Sequence, residues 1–120
     1  MESDILGKIV TVTVDRPLES YHPVYKELRY PVNYGYVKGI LAPDGEEQDA
    51  YILGVDVPVE AFTGKVVAII HRKDDVEDKW VVCPLEKSFT CEEIMELVKF
   101  QEQYFETELI TTTAQARETL

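Results

Sequence analysis

Residues 8–15 read Lys-Ile-Val-Thr-Val-Thr-Val-Asp, so Val10, Val12 and Val14 alternate with Ile9, Thr11 and Thr13. A two-residue period of β-branched side chains gives a ribbon with one apolar face, which is a half-buried strand. Further β-rich runs follow at 50–55, 65–71 and 79–83, parted by Asp56, Pro58, Gly64 and the charged stretch 72–78. Short strands at such intervals in a chain of 120 residues predict one domain built as a small barrel or sandwich.

One segment carries a helical start. Thr90-Cys91-Glu92-Glu93 places a hydroxyl at the N-cap and a glutamate three residues on, with Phe89 set to staple onto Ile94. Ile94, Leu97, Val98, Gln101, Tyr104 and Phe105 recur at three- and four-residue steps. The spacing predicts a helix over about 90–105 with that stripe on the barrel and with Glu92, Glu96, Lys99 and Glu102 in water. Beyond Glu106 the pattern decays into Thr111-Thr112-Thr113. The expected organisation is one barrel domain over 1–106, mainly β with a C-terminal helix (α+β), and a tail over 107–120 whose 114–120 end is mobile or packs on a partner chain.

A formal charge of −11, from 23 acids against 12 bases, works against nucleic acid, whose binding depends on Lys and Arg displacing counterions. Hydrophobic content of 45% is enough for a packed core and excludes an acidic disordered tail. Cys83 and Cys91 have no histidines at zinc-like spacing, since the two histidines are His22 and His71, so no zinc site is expected. A signal peptide and a membrane-spanning run are not evident, and the expected location is the cytoplasm, with reduced thiols.

Two stretches carry chemistry. Tyr30-Pro31-Val32-Asn33-Tyr34-Gly35-Tyr36 packs three tyrosines into seven residues, and Asp44-Gly45-Glu46-Glu47-Gln48-Asp49 follows shortly after. Phenol hydroxyls are donors to an anion and carboxylates are hard ligands for a cation. An acidic turn is ordinarily a solvated hairpin tip. Here Asp44 and Glu46 point to one side of an extended segment, and Asp49 opens a strand that can aim its carboxylate, so the three are candidate ligands of one divalent ion. A second acidic segment, Asp74-Asp75-Val76-Glu77-Asp78-Lys79, is placed to meet the first at a barrel mouth. Lys79 is a candidate phosphate contact with Arg72 in support, although either would ordinarily form a surface salt bridge. Mg²⁺ suits such a site, because it takes oxygen ligands and keeps waters able to attack phosphorus, and Mn²⁺ is the substitute. A glycine-rich phosphate loop and a nucleophile–base arrangement are both missing, so no covalent intermediate is expected.

These stretches resemble the soluble family I inorganic pyrophosphatases, with their Tyr-Pro-x-Asn-Tyr-Gly-Tyr segment and Asp-Gly-Asp-Pro-x-Asp loop at the same interval. The first motif is matched in full, and the second has Glu46 for its middle aspartate and Glu47 for its proline. The later Asp…Asp-x-Lys segment resembles Asp74 or Asp75, then Glu77 or Asp78, then Lys79. The family's Tyr-Lys pair resembles Tyr104-Phe105, with Phe105 in the place of the lysine. No arginine stands about eight residues before Tyr30, where His22 sits.

The resemblance implies an OB-like five-stranded β-barrel and Mg²⁺-dependent hydrolysis of pyrophosphate to two phosphates. It implies Asp44, Glu46, Asp49, Asp75 and Asp78 as metal ligands, with Glu46 also orienting or deprotonating the attacking water. Tyr30, Tyr34, Lys79 and Tyr104 are implied as substrate contacts, Tyr34 and Lys79 acting in the reaction itself. The implied partners are pyrophosphate and copies of the chain in a homo-oligomer, with no nucleic acid and no membrane. A second reading is a weakened or inactive relative that binds metal and a phosphorylated metabolite or a protein partner. A third, single-stranded nucleic-acid binding through exposed aromatics, is opposed by the charge.

Overall fold

The alternating segment at the start of the chain forms strand β1, Ile9–Arg16, and its valines turn inward as their period requires. In the computed structural model, which describes residues 5–42, 45–73 and 78–111, four more strands complete a closed ring: β2 (Asn33–Leu41), β3 (Glu47–Ile52), β4 (Ala61–Arg72) and β5 (Asp78–Cys83). The order is β1-β2-β3-β5-β4, and β4 returns to pair with β1. All neighbours are antiparallel except β3 and β5, which run parallel. The expected five-stranded barrel is therefore present. Helix α1 spans Cys91–Glu102 and a last strand, β6, spans Thr107–Thr111.

Two cores lie on the two faces of the barrel wall. Val12, Val37, Ala50, Ile52, Ile69 and Val82, drawn from all five strands, fill the interior. Tyr34, Tyr51, Leu53, Ile70 and Val81 face outward and are covered by Ile94 and Val98 of α1. Because side chains alternate along a strand, every second residue of β2, β3 and β5 is delivered to the space beneath α1.

The helix begins as its capping box requires. Thr90 Oγ1 accepts from the Glu93 amide at 3.1 Å, and the Glu93 carboxylate accepts from the Thr90 amide at 2.8 Å. It ends earlier than expected, at Glu102. Glu102 is also not in water: it is buried, because the Arg72 guanidinium meets it there. Tyr104, beyond the last turn, leaves the apolar stripe and is 70% exposed.

Three further expectations are corrected. Residues 107–111, expected in the tail, form β6, which pairs with the far half of β4. Leu109 packs on the core under the helix and Ile110 on the barrel interior, so the strand is clad on both faces. Gly64, expected to separate strands, lies inside β4, where a Cβ would run into the Cys83 carbonyl of β5. The strand expected over 50–55 stands three residues earlier, ended by Gly54 at φ 84°, a conformation that favours glycine. Residues 112–120 lie outside the described residues. Among the described residues no helix is long and apolar enough to cross a membrane.

Candidate active site

Tyr34 of β2, Asp49 of β3 and Lys79 of β5 share the outward face of three adjacent strands, and a single ammonium joins them. Lys79 Nζ donates to Asp49 Oδ2 at 2.6 Å and to the Tyr34 hydroxyl at 2.8 Å. The lysine side chain is 4% exposed, whereas that of Asp49 is 33% exposed, so the carboxylate is the open end of the group. Burial, and then the charge of Asp49, push the Tyr34 phenol well above its ordinary value. Tyr34 therefore stays protonated through the physiological range, and its hydroxyl is a donor.

The end of β1 adds two charged residues that the sequence reading did not single out. Arg16 lies opposite Tyr34 in the β1–β2 register, after a shift between Val14 and Arg16. Its Nε is buried without a hydrogen-bond partner among the described residues. The guanidinium pulls the Tyr30 phenol down, although burial, the larger effect, leaves it raised. Asp15 beside it is raised by burial first. Arg16 and a hydrogen bond to the backbone oppose that shift, and the charge of Asp49 adds to it. Two carboxylates thus share one field beside an arginine that holds an unused N–H. The expected spacing of about eight residues before Tyr30 missed Arg16, because the loop over 17–32 is long and folds back on itself. Strand parity was the signal: a charged pair closing an alternating run lands on the face its register dictates.

Much of the tyrosine motif is folding machinery. Asn33 is fully buried, accepts from the amides of Leu18 and Val59 at 2.9 and 3.2 Å, and donates to the Val57 carbonyl at 2.9 Å. Gly35 is required because a Cβ there would strike the Thr13 carbonyl of β1. Tyr30 is buried, and its hydroxyl donates to Gln101 Oε1 of α1 at 3.1 Å, so its proton already has an acceptor. Tyr36, half-buried, stands opposite Asp49 in the β2–β3 register.

Other expected residues are dispersed. Asp78 sits one residue from Lys79 and therefore on the opposite face of β5, where its carboxylate meets His71 Nδ1 at 2.7 Å; the structure does not bring it to Asp49. Glu46 is exposed just before β3. Asp44 and Asp75 lie outside the described residues, as do Asp74 and Glu77. Arg72, expected near phosphate, is buried with Glu102, its Nε and Nη2 donating to the two carboxylate oxygens at 3.0 and 2.7 Å. Phe105 lies 3.7 Å from that guanidinium, a stacking a lysine at this position would replace with like-charge repulsion.

Among the described residues no three metal-ligating side chains converge. The described donors are nonetheless of the right chemistry for a hard divalent cation: Asp49 and Asp15 are oxygen ligands whose mutual repulsion a cation would relieve.

A family model described as inorganic pyrophosphatase matches residues 7–112 of the chain. An inorganic pyrophosphatase of Helicobacter pylori is 30% identical over 69 residues, which are 53% of this chain and 39% of that protein. The sequence match thus spans well under half of that relative. Among solved structures, a Helicobacter pylori inorganic pyrophosphatase superimposes with a TM-score of 0.69 at 16% identity, covering 91% of this chain and 88% of the other. An Ehrlichia chaffeensis inorganic pyrophosphatase gives 0.67 at 15%, covering 93% and 91%. One from Neisseria gonorrhoeae gives 0.62 at 19%, covering 82% and 74%. At these identities the superpositions establish a shared fold.

Proposed function

The chain belongs to the inorganic pyrophosphatase family, and from that premise we propose that it hydrolyses inorganic pyrophosphate to two phosphates with Mg²⁺ as cofactor. The observation that carries the reading is Lys79, held between Tyr34 and Asp49 at 2.8 and 2.6 Å, so that cationic and phenolic donors lie against an open carboxylate. Pyrophosphate is a polyanion, and its hydrolysis is helped by preorganised donors aimed at the charge the transition state spreads over phosphoryl oxygens. Lys79 supplies a fixed positive charge, Tyr34 a neutral O–H, and Arg16 an N–H with no partner among the described residues. Holding these groups in place before substrate arrives removes reorganisation from the reaction.

Asp49, with Asp15 beside it and Asp44, Glu46 and Asp75 from the two acidic segments, would hold the metal. Bound there, a divalent ion lowers the pKa of coordinated water and neutralises charge on the phosphates. Glu46 is proposed to orient the attacking water. Tyr104, exposed past the end of α1, is proposed as a rim contact, while Tyr30 acts behind Tyr34. Water attacks one phosphorus and the bridging P–O bond breaks. One hydrogen of the water stays on the oxygen now bound to the attacked phosphorus and the other passes to the leaving phosphate, so two hydrogen phosphates form and no phosphoenzyme does. Assembly into a homo-oligomer and a cytoplasmic location complete the proposal.

Phosphate release from pyrophosphate is the test, with Mg²⁺ and with Mn²⁺, comparing the intact chain with Asp49→Asn. Release is expected from the intact chain, with a loss of roughly 100-fold or more in the variant. No release from a folded sample with either metal would overturn the reading, and tight pyrophosphate binding by calorimetry in that case would identify a binding protein.

A further inference from the structure

Gln101 uses both ends of its carboxamide, each on a different tyrosine. Oε1 accepts from the Tyr30 hydroxyl at 3.1 Å, and Nε2 donates to the Tyr51 hydroxyl at 2.7 Å. Those two rings flank Tyr34, their centroids 5.7 and 4.9 Å from its own. Phe100, one residue earlier on α1, stands edge-on to both outer rings at 5.2 and 6.0 Å. Among the described residues Tyr34 makes no hydrogen bond to the helix, so beyond the apolar cover of Ile94 and Val98 the polar link from α1 to it runs through its two neighbours.

Proton counting makes glutamine the side chain this pair of hydroxyls requires. The single proton of Tyr51 goes to Glu102 Oε2 at 2.6 Å, and Arg72 holds that carboxylate at both oxygens. Tyr51 can therefore only accept from residue 101, whereas Tyr30 donates to it. A carboxamide meets both demands at once. A glutamate would present acceptors to both hydroxyls, and an apolar side chain would leave both unmet in a buried place where unpaired polar groups are costly.

We infer that Gln101 is a positioning residue of the phosphate site: by pinning Tyr30 and Tyr51 it fixes the plane of the Tyr34 ring between them. That plane sets the direction from which the Tyr34 hydroxyl, and the Lys79 ammonium bonded to it, meet a phosphoryl oxygen. The inference rests on the reading of this site as one that hydrolyses pyrophosphate. It adds a determinant on the helix, outside the acidic segments in sequence and acting through Tyr30 and Tyr51.

The experiment compares Gln101→Met, Gln101→Glu, Tyr34→Phe and the double variant Tyr34→Phe/Gln101→Met in phosphate release from pyrophosphate. Either change at Gln101 should lower kcat roughly tenfold while KM stays within about twofold, as loss of orientation predicts. The double variant should be no slower than Tyr34→Phe alone, because residues acting through one another are not additive. A second arm follows ¹³C-labelled tyrosine rings by NMR, with Tyr34→Phe identifying the Tyr34 signals. Those signals should shift and broaden in both Gln101 variants at temperatures where each remains folded. Losses that multiply in the double variant, or Tyr34 signals unchanged in both Gln101 variants, would overturn the inference. Should the unaltered protein release no phosphate, the proposed activity falls while the NMR arm still decides whether Gln101 holds the ring.

Discussion

Tyr34 and Tyr51 are two buried phenols whose titration couples to folding. Burial, and then the charges of Asp49 and Glu102 respectively, raise both well above their ordinary value. The native state keeps these protons at a pH where the unfolded chain, with phenols near about 10, has released them. Their contribution to stability is thus fully present below about pH 10 and is lost as pH rises beyond it. Above about pH 10 the urea midpoint should fall more shallowly in Tyr51→Phe than in the native chain; an equal fall in both would refute the coupling. At this scale Tyr34, Asp49 and Lys79 were legible, since each sits in a motif with its own chemistry. Arg16 was not, because its closeness to Tyr30 depends on how a long loop folds. Arg72 misled, because a charged residue at a strand end reads as surface until a buried carboxylate is seen opposite it.

Among the elements, β1 and β2 approach so closely that their contact specifies a residue. A Cβ on Gly35 would strike the Thr13 carbonyl, and backbone cannot yield as a side-chain tip can. Gly35→Ala should destabilise the protein by about 3 kcal/mol, as overpacking does. It should also displace Tyr34, which pairs with Arg16 in the adjoining register. Urea unfolding measures the first effect and phosphate release the second, and a variant of native stability would contradict the close approach. The glycine was visible in the sequence as part of a motif, but its reason was not. The helix was the reverse case: Thr90 and Glu93 announced its start in full, because a capping box involves only neighbours along the chain. Its end at Glu102 and the surface position of Tyr104 were not announced, since an apolar stripe continues on paper wherever spacing allows.

For the molecule as a whole, the barrel pairs the far half of β4 with β5 on one edge and leaves its other edge, past β1, unpaired, and β6 takes that edge. Ala68 to Arg72 of β4 pair with Thr111 to Thr107 of β6. A chain truncated after Glu106 should expose this row of unpaired backbone groups, and exposed edges associate. It is expected to lose solubility and to elute as larger species on gel filtration, together with a broadened thermal transition. A soluble truncation with native-like melting would show that β6 is dispensable. The sequence reading placed a boundary at this point because Thr-rich segments end helices; the same β-branched residues favour a strand once an edge is available to them.

By itself the sequence determined most of the strands, the start of the helix and the identity of Tyr34, Asp49 and Lys79, because period-two patterning, capping and short motifs are written in local order; a barrel in place of a sandwich came from the family resemblance. Only the tertiary structure decided which acids meet. Asp78 and Lys79 are adjacent in sequence and lie on opposite faces of one strand, whereas Asp15 and Asp49 are far apart in sequence and close enough to feel each other's charge. Tertiary structure also decided that Gln101 and Glu102 tie the helix to Tyr30, Tyr51 and Arg72. Strand alternation sends neighbours apart and barrel closure brings distant segments together, so the site's membership follows from register and closure.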